Sequence, residues 1–463
     1  MRTPKPDWID SLTVLVAAAI LAWQLFVPPV IGLANNGDFG KVIGGFNLAA
    51  PMEDEYKFAS TTYSFDPQRH LSFEFYSTQV VLVAAAVALS RLLGNAATFD
   101  LRFIGLVHGL LYLAALWIVL PLLRTLDRRA RLLCWLLLIL VYCDVMYVSE
   151  LNSFFMDTAA FVFFLLTAGF VCRILKWKRR WDIFWFVVCC LCFIDSKTQH
   201  APLGLLIALL VAIRPSVFLP DIPKALRLGL ITALLAMVAF SWKAAPADYA
   251  INPLFTDVFY GIMPRVRDPA RELRALGLDE SYQKYVGMHA YSDSKLSADT
   301  IFVHAFLGKV STSRLALYFV KHPALAYTLV VRGLSEAGRQ RVFMGNFDRS
   351  IGRPAFAESY GFSILSSMKR RMFEQHGLLY LIYTLLLGTI FSLLLFIRRR
   401  QFAAGFAEAG WTMVAMMIAA MLIADLGDSL DFVRHSFVFI GINDTVLVAL
   451  VIGLIVPYAP QRV

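Results

Sequence analysis

Residues 9–38 read IDSLTVLVAAAILAWQLFVPPVIGLANNGD, and this stretch decides the class of the protein. The run from Ile9 to Leu33 is apolar and long enough to span a bilayer, since a transmembrane helix needs about 20 such residues. The tetrapeptide Asn35-Asn36-Gly37-Asp38 comes directly after it. Asn and Gly are typical of helix C-termini, so one interpretation is a cap. A second, compatible interpretation is functional, because an ionisable group at a membrane boundary is costly.

The composition predicts a protein that crosses the membrane several times. Of 463 residues, 59% are apolar and 16% are charged, whereas soluble domains are about 25% charged. The net charge is +10, and basic residues cluster in short loops at 124–131, 176–180 and 398–400. Such loops mark the cytoplasmic ends of membrane helices, so no nucleic-acid partner is expected. The six cysteines lie in or at the ends of apolar runs, where they are typical of small buried hydrophobes.

The spacing of apolar runs predicts an all-α integral membrane protein with about 10–11 transmembrane helices. The runs are 10–32, 76–93, 103–123, 132–149, 154–175, 181–195, 200–213, 228–245, 378–397, 409–426 and 437–457. With the basic loops inside, as Arg2 and Lys5 also indicate, 34–75 and 246–377 face outside. Two runs, 76–93 and 103–123, then separate an outer loop from an inner one. Two crossings cannot join an outer loop to an inner one, so either one of these runs is re-entrant or lies flat, or the basic loop 124–131 breaks the charge rule. We favour a first run, 76–93, that does not cross.

Three parts follow from this topology. They are an N-terminal transmembrane module at 1–245 with a catalytic first outer loop at 33–75, an extracytoplasmic helical segment at 246–377, and C-terminal transmembrane helices at 378–463. A segment as long as 246–377 usually carries its own structure or function. Asp268-Pro269 predicts a helix start there. His322-Pro323 predicts a break, because proline disfavours helix at the residue before it.

Unusual polar residues fall on the outer side in four separate groups. The groups are Asn35, Asn36, Asp38 and Lys41; Asp144, Glu150, Asn152 and Asp157; Asp195, Lys197, Gln199 and His200; and Asp425, Asp428, Asp431, Arg434 and His435. Each group has a structural explanation as well. Asp195 and Lys197 could pair with each other, the last three aspartates could form a solvated turn, and Asp157 could stabilise a helix N-terminus. A shared chamber beneath the outer segment would explain why all four face one side.

These residue types suit one kind of chemistry. A carboxylate at the outer surface can act as general base toward an acceptor hydroxyl. A nearby cation such as Lys197 can neutralise a phosphate leaving group. The pairing therefore favours transfer of a sugar from a lipid phosphate carrier whose tail stays in the bilayer.

At these positions the chain resembles the polytopic glycosyltransferases of the GT-C class, which use polyprenyl-phosphate sugars. In that class an essential acidic residue follows the first membrane helix, and Asp38 stands in that place. A second acid often lies in a later outer loop, which Asp157 or Glu150 could supply. The class has metal-dependent and metal-independent members, so no cofactor is certain and a divalent cation is one option.

The similarity is greater to bacterial glycan-biosynthesis hexose transferases of the surface-layer glycan type. Their Asn-Asn-Gly-Asp start, Asp-x-x-Tyr then Asn-Ser-Phe stretch and Lys-x-Gln element correspond here to 35–38, 144–154 and 197–199. Where that group often has Glu after Asn-Ser-Phe, this chain has Met156-Asp157. The resemblance implies a catalytic pair, Asp38 and Asp157. Its substrate-binding residues would be Asn35, Asn36, Lys41, Glu150, Asn152, Lys197, Gln199 and His200.

The leading hypothesis is a membrane hexosyltransferase in the bacterial inner membrane with its active site facing the periplasm. Its partners would be a polyprenyl-phosphate-linked sugar donor, a glycan or lipid acceptor, and membrane lipids. One alternative is a glycan polymerase or ligase that uses lipid-linked oligosaccharide through Arg332, Arg339, Arg341 and His322. Another is a lipid or sugar transporter, although transporters place polar sites near the bilayer midplane.

Overall fold

The computed structural model describes residues 7–49, 56–66, 75–94, 97–293 and 299–456. Parts of the predicted outer loop 33–75, the residues Arg2 and Lys5, and position 457 of the last run lie outside these ranges. The helices are α1 Trp8–Phe26, α2 Gly40–Ile43, α3 Thr78–Leu93, α4 Arg102–Val119, α5 Arg128–Tyr142, α6 Val145–Leu151, α7 Met156–Trp177, α8 Arg180–Ile194, α9 Ala201–Ile213, α10 Pro215–Phe218, α11 Lys224–Lys243, α12 Ala247–Phe255, α13 Pro269–Ala275, α14 Thr300–Leu307, α15 Thr312–Lys321, α16 Pro323–Ala337, α17 Ile364–Phe373, α18 Gly377–Arg398, α19 Phe406–Leu426, α20 Phe432–His435 and α21 Phe437–Ile455.

A small antiparallel sheet accompanies the helices. Its strands are β1 Leu48–Ala49, β2 Thr62–Phe65 and β3 Thr98–Asp100, in the order β1-β2-β3. Leu48 pairs with Phe65, and Tyr63 pairs with Phe99. The sheet therefore ties the loop after α1 to the start of α4.

The chain is an all-α integral membrane protein, as predicted. Among the described residues, seven helices are long and apolar enough to cross a membrane: α1, α4 with its 3-10 extension to Thr125, α7, α11, α18, α19 and α21. Two bent pairs raise the number to nine if each is one span; α5 and α6 meet at 58°, and α8 and the helix after it at 117°. The predicted 10–11 spans are too many, because α3, α8 and α9 have only 16, 15 and 13 residues.

The interpretation that run 76–93 does not cross agrees with the structure. Helix α3 has 16 residues, about 24 Å at 1.5 Å per residue, which is less than the hydrocarbon thickness of about 30 Å. At its start, Ser77 Oγ donates to the Ser196 carbonyl oxygen at 2.5 Å. At its end, the Arg91 guanidinium lies 5.0 Å from the ring centroid of Phe65, in the first loop. Both ends thus contact segments that belong to one end of the bundle.

The basic loops gather at the opposite end. Arg131 Nη2 lies 2.8 Å from Asp10 Oδ1, which joins the start of α5 to the start of α1. Lys176 Nζ donates to the Leu122 carbonyl oxygen at 2.9 Å, and Arg398 Nη1 donates to the Gly453 carbonyl oxygen at 2.7 Å. The predicted cytoplasmic loops therefore lie together at one end of the bundle, which we call the basic end.

The segment from 246 to 377 consists of short helices around a small aromatic core. Asp268 caps α13 by accepting from the Arg271 amide, and α15 ends before the His322-Pro323 break, both as predicted. A later loop of the segment pairs with the chain after α1. Gly32 N donates to the Asn346 carbonyl oxygen at 3.0 Å, and Ala34 N donates to that of Gly345 at 2.9 Å. This pairing fixes the chain just before Asn35.

Candidate active site

The tetrapeptide 35–38 forms a tight turn that aims Asp38 at the end of the bundle. Asn35 Oδ1 accepts from the amides of Gly37 at 2.9 Å and Phe39 at 3.1 Å, and Gly37 has a φ of +96°. Glycine adopts this left-handed conformation without a Cβ penalty. The turn is not the cap of α1, because that helix already ends at Phe26, ahead of Pro28-Pro29.

The Arg434 side chain connects carboxylates from three parts of the chain. Its Nη1 lies 2.6 Å from Asp38 Oδ2 and 4.0 Å from Asp157 Oδ2, and its Nε donates to Asp431 Oδ2 at 2.8 Å. Lys41 Nζ donates to the other Asp38 oxygen at 2.5 Å. A planar guanidinium can bind several carboxylates in fixed directions, which a lysine ammonium cannot do. The first, second and fourth polar groups of the sequence therefore meet at one cation.

Behind Arg434 lies a buried ion pair. Lys197 Nζ donates to Asp157 Oδ1 at 3.0 Å and to Oδ2 at 2.9 Å, and His200 Nε2 lies 3.0 Å from Oδ1. Asp157 stands in the first turn of α7, and Lys197 and His200 follow α8. Lys197 thus pairs with an acid 40 positions away and not with its sequence neighbour Asp195, which interacts with Thr78 and Ser241.

Contacts of His435 and Asn36 extend the cluster. His435 Nδ1 lies 3.0 Å from Gln199 Oε1, and its Nε2 lies 3.3 Å from Asp428 Oδ2. Asn36 Nδ2 donates to Asp431 Oδ2 at 3.4 Å. Gln199 and Asn36 therefore contact residues of the fourth polar group, while His200 joins the cluster through Asp157.

The cluster has an open edge and a closed interior. The side chains of Asp38 and Lys41 are 18% and 24% exposed, whereas those of Asp157 and Lys197 are 2% exposed. Burial by itself would raise the pKa of Asp38, but Arg434 and Lys41 hold that pKa well below its ordinary value. Asp38 is consequently an accessible, permanently ionised carboxylate at neutral pH, while a ligand cannot touch Asp157 without rearrangement.

Glu150 lies next to the cluster, and one of its carboxylate oxygens accepts no hydrogen bond from the described residues. Its side chain is buried, and it interacts electrostatically with Asp157, Lys197 and Arg434. Its Oε2 has no hydrogen-bond partner in the part of the chain that the structure describes. Glu150 therefore lies next to the cluster, but its buried side chain does not reach the open edge.

Other predicted residues serve the local architecture. Asn152 lies outside the cluster, and its Nδ2 donates to the carbonyl oxygens of Leu25 at 3.0 Å and Ile31 at 2.8 Å. Its amide thus holds the chain that leaves α1, and Asn35 builds the turn described above. Asp144 caps α6 and accepts from the Ser366 amide at 3.0 Å. Asp425 packs against Gly333, also outside the cluster.

The sequence did not single out two features of the site. Arg434 was one member of a polar group, but nothing in its spacing showed that it would bind three separate acids. Tyr249 comes from the outer segment, and its ring centroid lies 5.1 Å from Lys41 Nζ. Tyrosine near a predicted span end was an available signal, although such residues are usually interface anchors.

A metal site does not emerge from the ranges that the structure describes, where no group of three or more His, Cys, Asp and Glu side chains could hold an ion. The acids at the open edge instead have protein cations as partners. The arrangement can bind an anion by exchanging carboxylate for phosphate at Arg434 and Lys41.

Comparison with known protein families identifies the family of this chain. A family model described as YfdI N-terminal transmembrane domain matches residues 4–461. The chain belongs to this family. No curated protein matches this YfdI-family chain.

Two solved structures resemble this YfdI-family chain distantly. They are the Archaeoglobus fulgidus oligosaccharyltransferase in its apo form, and the same organism's oligosaccharyltransferase AglB in complex with an inhibitory peptide and a dolichol-phosphate. Each is 14% identical to this chain, with a TM-score of 0.39. The matches cover 96% and 95% of this chain. They cover 51% and 50% of the two archaeal chains, so this chain spans about half their length.

Proposed function

We propose that this chain is a GT-C-type membrane glycosyltransferase that moves a hexose from a polyprenyl-phosphate carrier to a cell-envelope glycan or lipid acceptor. The observation that carries the proposal is the open edge of the cluster, where accessible Asp38 lies between Arg434 and Lys41. An acid directly after the first membrane helix is the hallmark of the class that the sequence resembles. The motifs at 35–38, 144–154 and 197–199 favour the surface-layer glycan type within it.

The contacts support distinct roles for the two predicted catalytic acids. Asp38 is ionised and accessible, so it can accept a hydrogen bond from the acceptor hydroxyl and orient it for attack. Arg434 and Lys41 can bind the departing phosphate, where the positive charge stabilises the transition state. Asp157 is buried and holds Lys197 and Arg434 in position from below. Asp157 is thus a positioning residue in this mechanism.

The location of the cluster supports a donor with a membrane tail. The cluster lies at the end of the bundle opposite the basic end, so basic loops in the cytoplasm put Asp38 on the periplasmic side of a bacterial inner membrane. A donor held there can keep its polyprenyl chain in the bilayer while the phosphate reaches Arg434. A divalent cation is not needed for this scheme, because protein cations already face the phosphate position.

Three of the four candidate residues of the polymerase or ligase alternative have their partners elsewhere in the segment 246–377. Arg339 pairs with Glu358, and Arg341 donates to the Ser359 carbonyl oxygen. His322 lies 3.6 Å from Glu272 on the far side of the outer segment. The transporter alternative would place the charges near the middle of the bundle, whereas this cluster lies at its end.

The decisive test is the Asp38→Asn variant in reconstituted vesicles that contain a radiolabelled polyprenyl-phosphate hexose. We expect transfer to fall by about 1,000-fold or more, as the loss of the carboxylate that orients the acceptor and of its electrostatics predicts. The protein should remain folded, since Arg434 keeps Asp431 and Asp157 as partners.

The matched control is Asp100→Asn. Asp100 is also an outer-end aspartate in an ion pair, with Arg102, but it lies outside the cluster. Its variant should transfer at the wild-type rate. Normal glycoside formation by Asp38→Asn would overturn the proposed function.

A further inference from the structure

A cavity lies inside the bundle, between its middle and the basic end. Its volume is about 510 Å³, and it is enclosed by α1, α4, α5, α7, α18, α19 and α21. The walls are leucine, valine, isoleucine, alanine and phenylalanine side chains almost throughout. Cavities of about 300–1,000 Å³ are the usual size for bound small molecules. This one does not overlap the Asp38 cluster.

The apolar walls of the cavity favour a hydrocarbon chain as the bound molecule. An apolar cavity does not hold water, because water there would lack hydrogen-bond partners. Leaving such a volume empty forfeits the dispersion contacts of its lining, and protein interiors are otherwise close-packed. The few polar side chains at the inner end already have hydrogen-bond partners within the protein. Tyr142 OH lies 3.0 Å from Thr445 Oγ1, and Tyr112 OH donates to the Tyr142 carbonyl oxygen at 2.8 Å.

The mouth of the cavity is positively charged. Lys176 lines it and is exposed, and Gly453 and Val456 line it where Arg398 donates to their carbonyl oxygens. Thr125, in the basic loop 124–131, and Gln401, directly after the basic loop 398–400, also line the cavity there. Basic pockets between membrane helices on the cytoplasmic side are typical binding sites for anionic lipid head groups. The charge at the mouth therefore complements a phosphate outside an apolar interior.

An aromatic layer separates the cavity from the candidate active site. The rings of Tyr147 and Phe161 stack with centroids 4.6 Å apart, and Phe437 packs on Phe161 at 5.3 Å. Tyr112, on the cavity side, lies 6.0 Å from the same Phe161 ring. A chain inserted from the basic end therefore stops before the cluster.

We infer that this cavity binds one acyl chain of an anionic phospholipid from the cytoplasmic leaflet, with the phosphate at Lys176. The site is separate from the donor and acceptor positions of the proposed transferase. It requires no transfer activity, so its test is independent of the Asp38→Asn result.

Native mass spectrometry of the purified protein tests the inference. The protein is extracted from membranes that contain phosphatidylglycerol and phosphatidylethanolamine. We expect one phosphatidylglycerol per chain to survive extensive detergent washing. Ala449→Phe, which fills the cavity from α21, should lower this occupancy at least fivefold. The matched control Leu136→Phe, on the exposed outer face of α5, should leave it unchanged.

The basic mouth is tested separately. Lys176→Gln should lower the preference for phosphatidylglycerol over phosphatidylethanolamine several-fold, whereas Lys178→Gln, in the adjacent exposed loop, should not. If Ala449→Phe does not fold, Ala449→Leu and a diazirine-acyl phosphatidylglycerol probe on the wild type replace it. The probe should crosslink to α4, α7 or α21. Unchanged occupancy in a folded Ala449 variant, crosslinks only elsewhere, or retention of a polyprenyl phosphate instead would overturn the inference.

Discussion

Within the described ranges, the bundle contains two buried lysine–aspartate pairs that look alike and differ in what surrounds them. Lys197 and Asp157 lie 2.9 Å apart with both side chains 2% exposed. Lys369 and Asp444 lie 2.8 Å apart with side chains 3% and 1% exposed. By distance and burial alone, neither pair is a better candidate for function than the other.

Their neighbours separate the two pairs. Asp157 is linked to Asp38 through Arg434, which contacts both carboxylates, and the Asp38 carboxylate is accessible. Asp444 is instead closed off by Tyr147, whose hydroxyl donates to Asp444 Oδ2 at 2.8 Å, and the Lys369 ammonium lies 5.7 Å from the Tyr380 ring centroid. We therefore expect a buried ion pair in this protein to affect function only where charged contacts link it to an accessible carboxylate.

Breaking the closed pair should give the largest loss of stability and no direct loss of chemistry. Asp444→Asn leaves the Lys369 charge buried without its carboxylate. We expect the free energy of unfolding to fall by about 3–5 kcal/mol, while transfer per folded molecule stays at the wild-type value. Asp157→Asn should be destabilising as well, but transfer per folded molecule should drop. Thermal unfolding in detergent and the vesicle assay measure the two quantities.

The double variant Lys369→Met/Asp444→Leu is the control for this prediction. An apolar replacement of both partners is often neutral or stabilising, so it should recover most of the lost stability. If transfer per folded molecule falls in the Asp444→Asn protein, then the closed pair is linked to the site and the comparison fails.

The open edge is tested by Arg434→Lys. Lysine keeps the charge but cannot bind Asp38 and Asp431 in the two fixed directions that Nη1 and Nε use. We expect transfer to fall by about 100-fold, as for the removal of one oriented donor, with a much smaller loss of stability than in Asp444→Asn. Arg173→Lys, at the Asp182 ion pair of the basic end, is the matched control. Equal transfer by both variants would contradict the assigned role of Arg434.

The sequence predicted the membrane class and the helices of the segment 246–377, because these depend on local patterns, whereas the catalytic role of Asp38 stays a prediction. Apolar runs, the proline after His322 and the basic loops each act within a few residues. The number of spans was overestimated for a physical reason. Hydropathy records how apolar a run is, but it shows neither the bend between α8 and α9, which were counted as two runs, nor that α3 has only 16 residues.

The partners of the charged residues could not be predicted from the sequence. Lys197 has Asp195 two positions away, yet it pairs with Asp157 because α7 and α8 pack side by side. In the same way, Asn152 matched a family motif but holds the chain after α1 through two backbone carbonyls. Tertiary packing decides which of several polar residues face the site, and single-sequence patterns carry no distances.

The pH dependence of transfer sharpens the comparison further. The pKa of Asp38 is held well below its ordinary value by Arg434 and Lys41, despite the opposing effect of burial. A lowered folded pKa contributes stability that is present above the unfolded pKa of about 3.9 and is lost as pH falls through the folded value. Between about pH 5 and about pH 8, we therefore expect no loss of transfer or stability from Asp38.

The Arg434→Gln variant provides the contrast in that experiment. Without the guanidinium, the pKa of Asp38 should rise toward its ordinary range, and the residual transfer should fall a few-fold as pH is lowered to about 4. The wild-type rate should not show this acidic limb over the same interval. If transfer falls with the same midpoint pH in the wild type and in the Arg434→Gln variant, then a group other than Asp38 titrates.

A third buried carboxylate, which no cation contacts among the residues that the structure describes, should show the smallest effect on stability and the opposite sign. Asp257 lies in the outer segment, where Ser429 Oγ donates to its Oδ1 at 2.7 Å. Burial and the nearby Asp428 raise the pKa of Asp257 well above its ordinary value. A raised pKa of an acid means that ionisation opposes folding above the unfolded pKa. Asp257→Asn should therefore stabilise the protein by about 1 kcal/mol at neutral pH and leave it unchanged near pH 4, as thermal unfolding at the two pH values would show. Destabilisation by this variant at neutral pH would mean that Asp257 is ionised and bound to a cation, and buried acids here would then not divide into paired and unpaired classes.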